Sequence, residues 1–124
     1  MERLKQRADF LAAAAGAKAS GATAQAAAFV LQARERGDAA PSRFGFTVSK
    51  KVGNAVERNR VRRRLRELVR LSAALPREAG HDYVLIGRKA ALDLPFDRMI
   101  AEFAGALKRV HGKPRTRPAT EKTT

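Results

Sequence analysis

The sequence predicts a small α+β domain, a central β-sheet with helices against it in the order α-β-β-α-β-α. Three observations carry that prediction. Residues 43–49 alternate apolar and polar with the period of a strand. Two later stretches repeat large apolar residues at the spacing of an amphipathic helix. Segments rich in Gly, Asp and Pro fall between these stretches, where the chain must turn. A length of 124 residues fits one domain. We place it at residues 1–110, with residues 111–124 as a basic tail that lacks any apolar residue larger than Ala119 and is expected to be disordered.

The elements follow in order. A short first helix begins near Asp9, which is placed to cap it, and Phe10, Leu11, Ala14 and Ala15 recur at helical spacing before Gly16. Residues 17–25, made of small and polar residues, read as a loop. Residues 28–33 read as a strand, and Gly37, Asp38 and Pro41 turn the chain back. In the second strand Phe44, Phe46 and Val48 point to the core, leaving Arg43, Gly45, Thr47 and Ser49 on the other face. Gly53 and Asn54 then open a helix that runs to about Ala74, stopped by Pro76 and Gly80. Residues 83–86 form a short apolar strand with a basic exit at Arg88 and Lys89. The last helix starts near Pro95, and Phe96, Ile100, Phe103, Leu107 and Val110 form its core-facing stripe. The strands on either side of the middle helix should pair in parallel, and generic geometry makes such a crossover right-handed.

Charge narrows the function. Lys and Arg outnumber Asp and Glu 26 to 12, a net charge of +14, which favours a polyanionic partner. No apolar run approaches the roughly 20 residues needed to span a bilayer, and the N-terminus lacks a signal peptide's apolar segment. Without cysteine there are no disulfides or thiolate zinc sites, which fits a cytoplasmic protein. Residues 50–70 hold nine basic residues against Glu57 and Glu67. On a helical wheel Val61, Leu65, Leu68 and Val69 share one stripe, with Asn59, Arg60, Arg63, Arg66, Glu67 and Arg70 opposite. Arg62 lies at the stripe's edge, and Arg58 falls close to the stripe.

A solvated surface helix usually alternates its charges so that acids pair with bases one turn away. A one-sided pile-up that two glutamates cannot neutralise points instead to a polyanion. Arginine suits that task, because guanidinium clamps phosphate in two places and stacks on bases. The N-terminus of this helix, at Gly53 and Asn54, reads as a second anion site with free backbone N–H groups. A membrane-surface helix would need apolar residues for the lipid, whereas these four are needed by the core. Protein-borne catalysis finds no support: His81 and His111 stand apart in sequence, and the acids form no cluster for a two-metal nuclease.

The run from Ser49 through Lys50, Lys51, Gly53, Asn54, Ala55, Val56, Glu57 and Arg58-Asn59-Arg60 to Arg63 resembles the signature of the bacterial ribonuclease P protein family. Arg3-Leu4-Lys5 with Asp9-Phe10, and Asp82-Tyr83 through Arg88-Lys89, are similar to the family's flanking patterns, so the likeness runs from about residue 3 to residue 107. The resemblance implies a ribosomal-protein-like fold with a left-handed crossover, against the generic default. It implies two partners, the catalytic RNA of ribonuclease P and the 5′ leader of precursor tRNA, with Mg2+ held mainly by RNA and no catalytic residue in the protein. Arg58, Asn59 and Arg60 would grip the RNA, with Lys50, Lys51, Asn54 and Arg63 beside them and Arg62 and Arg66 nearer the leader. A leader cleft would lie between the first helix and the open sheet face, at Phe10, Ala14, Val30, Gln32 and Thr47. The family's pattern often has a second aromatic one turn after the first, and that place holds Ala14.

A ribosomal or ribosome-associated RNA-binding protein fits the composition equally well, and the Arg-Asn-Arg signature separates the two. A basic-zipper reading fails because Pro76 and Gly80 stop the helix before any heptads. No membrane and no obligate protein partner is expected.

Overall fold

The computed structural model describes residues 2–20, 22–72 and 79–112. Its elements are β1 (Glu2–Arg3), α1 (Arg7–Ser20), β2 (Thr23–Gln25), β3 (Phe29–Glu35), β4 (Arg43–Thr47), α2 (Ala55–Leu71), β5 (His81–Gly87) and α3 (Phe96–Gly112). Single 3-10 turns precede α2, at Lys50–Val52, and α3, at Lys89–Leu92. The five strands form one mixed sheet in the order β1-β4-β5-β3-β2. The β4–β5 pair is parallel, as a helical crossover requires, while β3 runs antiparallel to both β5 and β2.

Strand alternation divides the side chains between two faces. On one, Phe29, Leu31 and Phe44 join Tyr83 and Leu85 under the apolar stripes of α2 and α3. The stripe of α2 is Val61, Leu65, Leu68 and Val69, all fully buried. Phe44 stacks on Tyr83 with ring centroids 5.0 Å apart, and Phe103 meets Phe29 edge-on at 6.1 Å. Each such side chain contributes about 1.5–3 kcal/mol by leaving water. Gly87 admits α2 this closely: a Cβ there would lie 2.6 Å from Val61 Cγ1. On the opposite face, among the described residues, Phe10 and Ala13 of α1 pack with Leu4 against Val84 and Ile86.

Several expectations change. The first helix starts at Arg7 and passes through Gly16 to Ser20, because Ala13 and Ala17, both fully buried, continue its inner face. Asp9 lies in its first turn and is not the cap; the Gln6 carbonyl accepts from the backbone N–H groups of Asp9 and Phe10. Leu11 is 57% exposed and Ala15 is exposed, so neither belongs to the buried stripe. The loop expected at residues 17–25 includes β2, whose three residues gain their stability from the ladder to β3 rather than from propensity. At the other end His111, expected at the start of the tail, sits in the last turn of α3, which runs to Gly112. Residues 113–124 of the expected tail, and Ala74 and Pro76 at the expected stop of the middle helix, lie outside the described residues.

Candidate nucleic-acid interface

The local sequence folds α2 as a self-capped helix. Asn54 Oδ1 accepts from the Glu57 backbone N–H, and Glu57 Oε1 accepts from the Asn54 N–H, both at 2.9 Å. This capping box corrects the expectation of an open anion site at Gly53 and Asn54. The side chains of Asn54 and Glu57 occupy donors that a phosphate would otherwise use.

Beyond the cap, burial sorts the nine cations. Lys50, Lys51, Arg60, Arg63 and Arg66 are exposed, and among the described residues no carboxylate pairs with them. Arg70 instead pairs with Glu67 at 2.5 Å. Arg58 is half-buried, with its guanidinium donating to the Gly53 carbonyl at 3.5 Å. Arg62 is also half-buried and donates to Asn59 Oδ1 at 2.8 Å. Arg64 turns inward: it donates to the carbonyls of Ala91, Leu92 and Leu94 at 2.5–2.8 Å and lies over the Phe96 ring. Burial lowers its pKa. All nine keep an exposed or half-exposed position, and Arg64 differs in its bonding, which fastens α2 to the segment leading into α3.

The α1 face of the sheet is built in three cross-strand rows. Val30, Ile86 and Thr47 form one, Gln32, Val84 and Gly45 the next, and Arg34, Asp82 and Arg43 the last. The fold therefore brings Val30, Gln32 and Thr47 onto the face that carries Phe10 and Ala14, with Thr47 exposed and the others half-buried. A groove opens beside them. It consists of two adjoining pockets that share Lys5, Phe10, Phe46 and Arg62; one extends to Arg3, Leu4 and Arg66, the other to Arg7, Leu11, Thr47 and Val48. Val30, Gln32 and Ala14 do not line it.

Sequence reasoning missed Arg3, Lys5 and Arg7 on the rim and gave Phe46 and Val48 to the core alone. The detectable signal was the alternation Arg3-Leu4-Lys5, with buried Leu4 between two cations. The groove exists because β1 is only two residues long: it covers β4 at Arg43 and Phe44, and the edge beyond stays uncovered.

The third row is an ion network at the opposite end of the strands from the start of α2. Asp82 is fully buried and accepts from Arg43 Nε and Nη2 at 2.8 and 2.9 Å and from Arg36. Arg34 stands 3.8 Å away. Burial pushes the Asp82 pKa up, but the hydrogen bonds from Arg43 and Arg36 outweigh it and hold the carboxyl below its ordinary value. The two histidines, distant in sequence, meet nearby. Their rings lie 4.9 Å apart, and His111 Nε2 is 2.5 Å from the Tyr83 hydroxyl. They pack the end of α3 against β5, and no group of three or more His, Asp or Glu among the described residues could hold a metal ion. No helix among the described residues is long and apolar enough to cross a membrane.

Comparison with known proteins matches this architecture. The family model Ribonuclease P matches residues 1–111. The ribonuclease P protein component of Paramagnetospirillum magneticum is 45% identical over 123 residues, covering 96% of this chain and 90% of that one. That of Ruegeria pomeroyi is 47% identical over 111 residues, covering 87% and 85%. Among solved structures, the ribonuclease P protein of Thermotoga maritima superposes with a TM-score of 0.69 at 32% identity, covering 88% of this chain and 97% of that one. The Staphylococcus aureus protein gives 0.68 at 28% identity, covering 87% and 94%. With the fold and nearly the whole described length accounted for, the chain belongs to the bacterial ribonuclease P protein family.

Proposed function

We propose that this chain is the protein subunit of ribonuclease P, binding the enzyme's catalytic RNA and the 5′ leader of precursor tRNA and so promoting endonucleolytic removal of that leader. The observation that carries the reading is the set of exposed, unpaired cations on α2 beside a groove with an apolar floor and a basic rim. Unpaired cations on one face bind phosphates with release of counterions. A groove that combines cations with an aromatic ring suits a single strand, whose bases can stack.

In this reading Arg58, Asn59 and Arg60 grip the catalytic RNA, with Lys50, Lys51, Asn54 and Arg63 beside them. The leader lies in the groove at Phe10 and Thr47, with Ala14, Val30 and Gln32 beside it on the same face of the sheet, and Arg62 and Arg66 meet its phosphates. Arg3, Lys5 and Arg7 extend the same rim. Hydrolysis belongs to the RNA subunit with its Mg2+, and the protein contributes affinity and alignment. The assembly works in the cytoplasm.

The test is turnover of a precursor tRNA by a bacterial ribonuclease P RNA at low magnesium, with and without this chain. A large rise in cleavage at the mature 5′ end, lost in the Arg58→Ala/Arg60→Ala double variant, supports the reading. General RNA binding without stimulation would favour a ribosome-associated protein. Cleavage by the protein alone would overturn the assignment of chemistry to RNA.

A further inference from the structure

Phe10 is the one aromatic ring of α1, and the sheet holds it from two directions. Beneath it lies Gly45: a Cβ there would stand 2.4 Å from Phe10 Cε1, 2.8 Å from Cζ and 3.0 Å from Leu4 Cδ1. The ring therefore rests on bare backbone, and no larger residue fits without moving it. Beside it, Asp9 lies 3.6 Å from Arg43 Nη2, and Arg43 is clamped by two hydrogen bonds to the buried Asp82. Arg36 donates to the same Asp82 carboxylate. A chain of charge thus runs from the interior of β5 through β4 to the first turn of α1, one residue before Phe10.

We propose that Gly45 and the Asp82–Arg43–Asp9 chain are positioning residues that set where Phe10 stands, and so the width of the groove open to a single-stranded leader. None of the four needs to touch RNA for this. Asp82 is fully buried, and none of the four lines the groove. A one-sided salt bridge on the surface would hold α1 loosely; anchoring Arg43 on a buried, doubly hydrogen-bonded carboxylate makes the attachment rigid. The proposal rests on the leader reading of the groove given above.

The test uses the chain assembled with a bacterial ribonuclease P RNA and compares affinity for a precursor tRNA carrying a 5′ leader with affinity for the mature tRNA. The ratio isolates what the leader gains. Phe10→Ala should lower the ratio by about ten-fold, the scale of one lost stack. Gly45→Ala, which pushes the ring from its seat, should lower it by a similar factor. Asp9→Asn, which removes the charge at constant size, should lower it by roughly three-fold. In each case affinity for mature tRNA stays unchanged, and in a Phe10→Ala background neither Gly45→Ala nor Asp9→Asn lowers the ratio further. If Gly45→Ala prevents folding, Asp9→Asn alone decides the matter. Equal losses with and without Phe10, or parallel losses for mature tRNA, would reduce these residues to a purely structural role and overturn the proposal. An unchanged ratio in Phe10→Ala would instead overturn the leader reading of the groove, and the positioning role with it.

Discussion

Two arginine clusters occupy opposite ends of the sheet, and they spend their charge in opposite ways. Around Asp82, Arg36, Arg43 and Arg34 converge on one buried carboxylate, and the Arg36 side chain is only 7% exposed. Along α2, Arg60, Arg63 and Arg66 are exposed with no carboxylate paired to them among the described residues. The first cluster is satisfied internally and has little attraction left for an outside anion. The second keeps its field for a partner, at the cost of self-repulsion. Arg64, one turn from Arg60, repeats the contrast within a single helix. Pairing, more than arginine count, marks a polyanion site.

The contrast can be broken most forcefully at Asp82. Asp82→Ala removes the buried carboxylate on which Arg36, Arg43 and Arg34 converge, leaving Arg36 only the exposed Asp38, and should destabilise the fold by about 3–5 kcal/mol, read by urea unfolding. Next in size is Arg64→Ala, expected to cost about 2 kcal/mol because three carbonyls lose a charged donor. A stability change within the noise would show that Arg64 is as free as Arg60. A smaller effect comes from acid. The folded pKa of Asp82 lies below its ordinary value of 3.8. Its contribution is therefore complete above that value and is lost as pH falls through the folded one. Unfolding free energy measured from pH 6 down to pH 3 should drop below about pH 4, and Asp82→Asn should flatten that part of the curve.

Much of this was legible in the sequence, for reasons that differ by element. The stripe of α2 has four large apolar residues at helical spacing, so both its helix and its buried face could be read directly. The alternation of β4 likewise gave the correct faces at Phe44 and Thr47. The interior strands β3 and β5 were each read short, because their outer residues, such as His81 and Glu35, are polar and held in the ladder by pairing with each other. β1 and β2 were missed: β1 is held by β4, distant in sequence, and β2 is three small or polar residues paired to the adjacent β3, too short to show a strand period.

At the candidate site, the exposed cations of α2 followed from the helical wheel. The groove did not, since Arg3, Lys5 and Phe46 meet only after β1 pairs with β4. The capping box closed an anion site that the Gly53-Asn54 pair had suggested, because Glu57 reaches back to the position a phosphate would take. The inward turn of Arg64 was equally invisible, since it depends on carbonyls 27 to 30 residues away.

In the function proposed above, the cations that the fold leaves unpaired on α2 are the ones that hold RNA. The most direct measurement is the affinity of the chain for a bacterial ribonuclease P RNA as a function of salt, for the unaltered protein, Arg60→Ala and Arg64→Ala. The expected result is a steep decline of log affinity with log salt, a slope reduced by about one in Arg60→Ala, and an unchanged slope in folded Arg64→Ala. An unchanged slope in Arg60→Ala, or the same reduction in both variants, would contradict it.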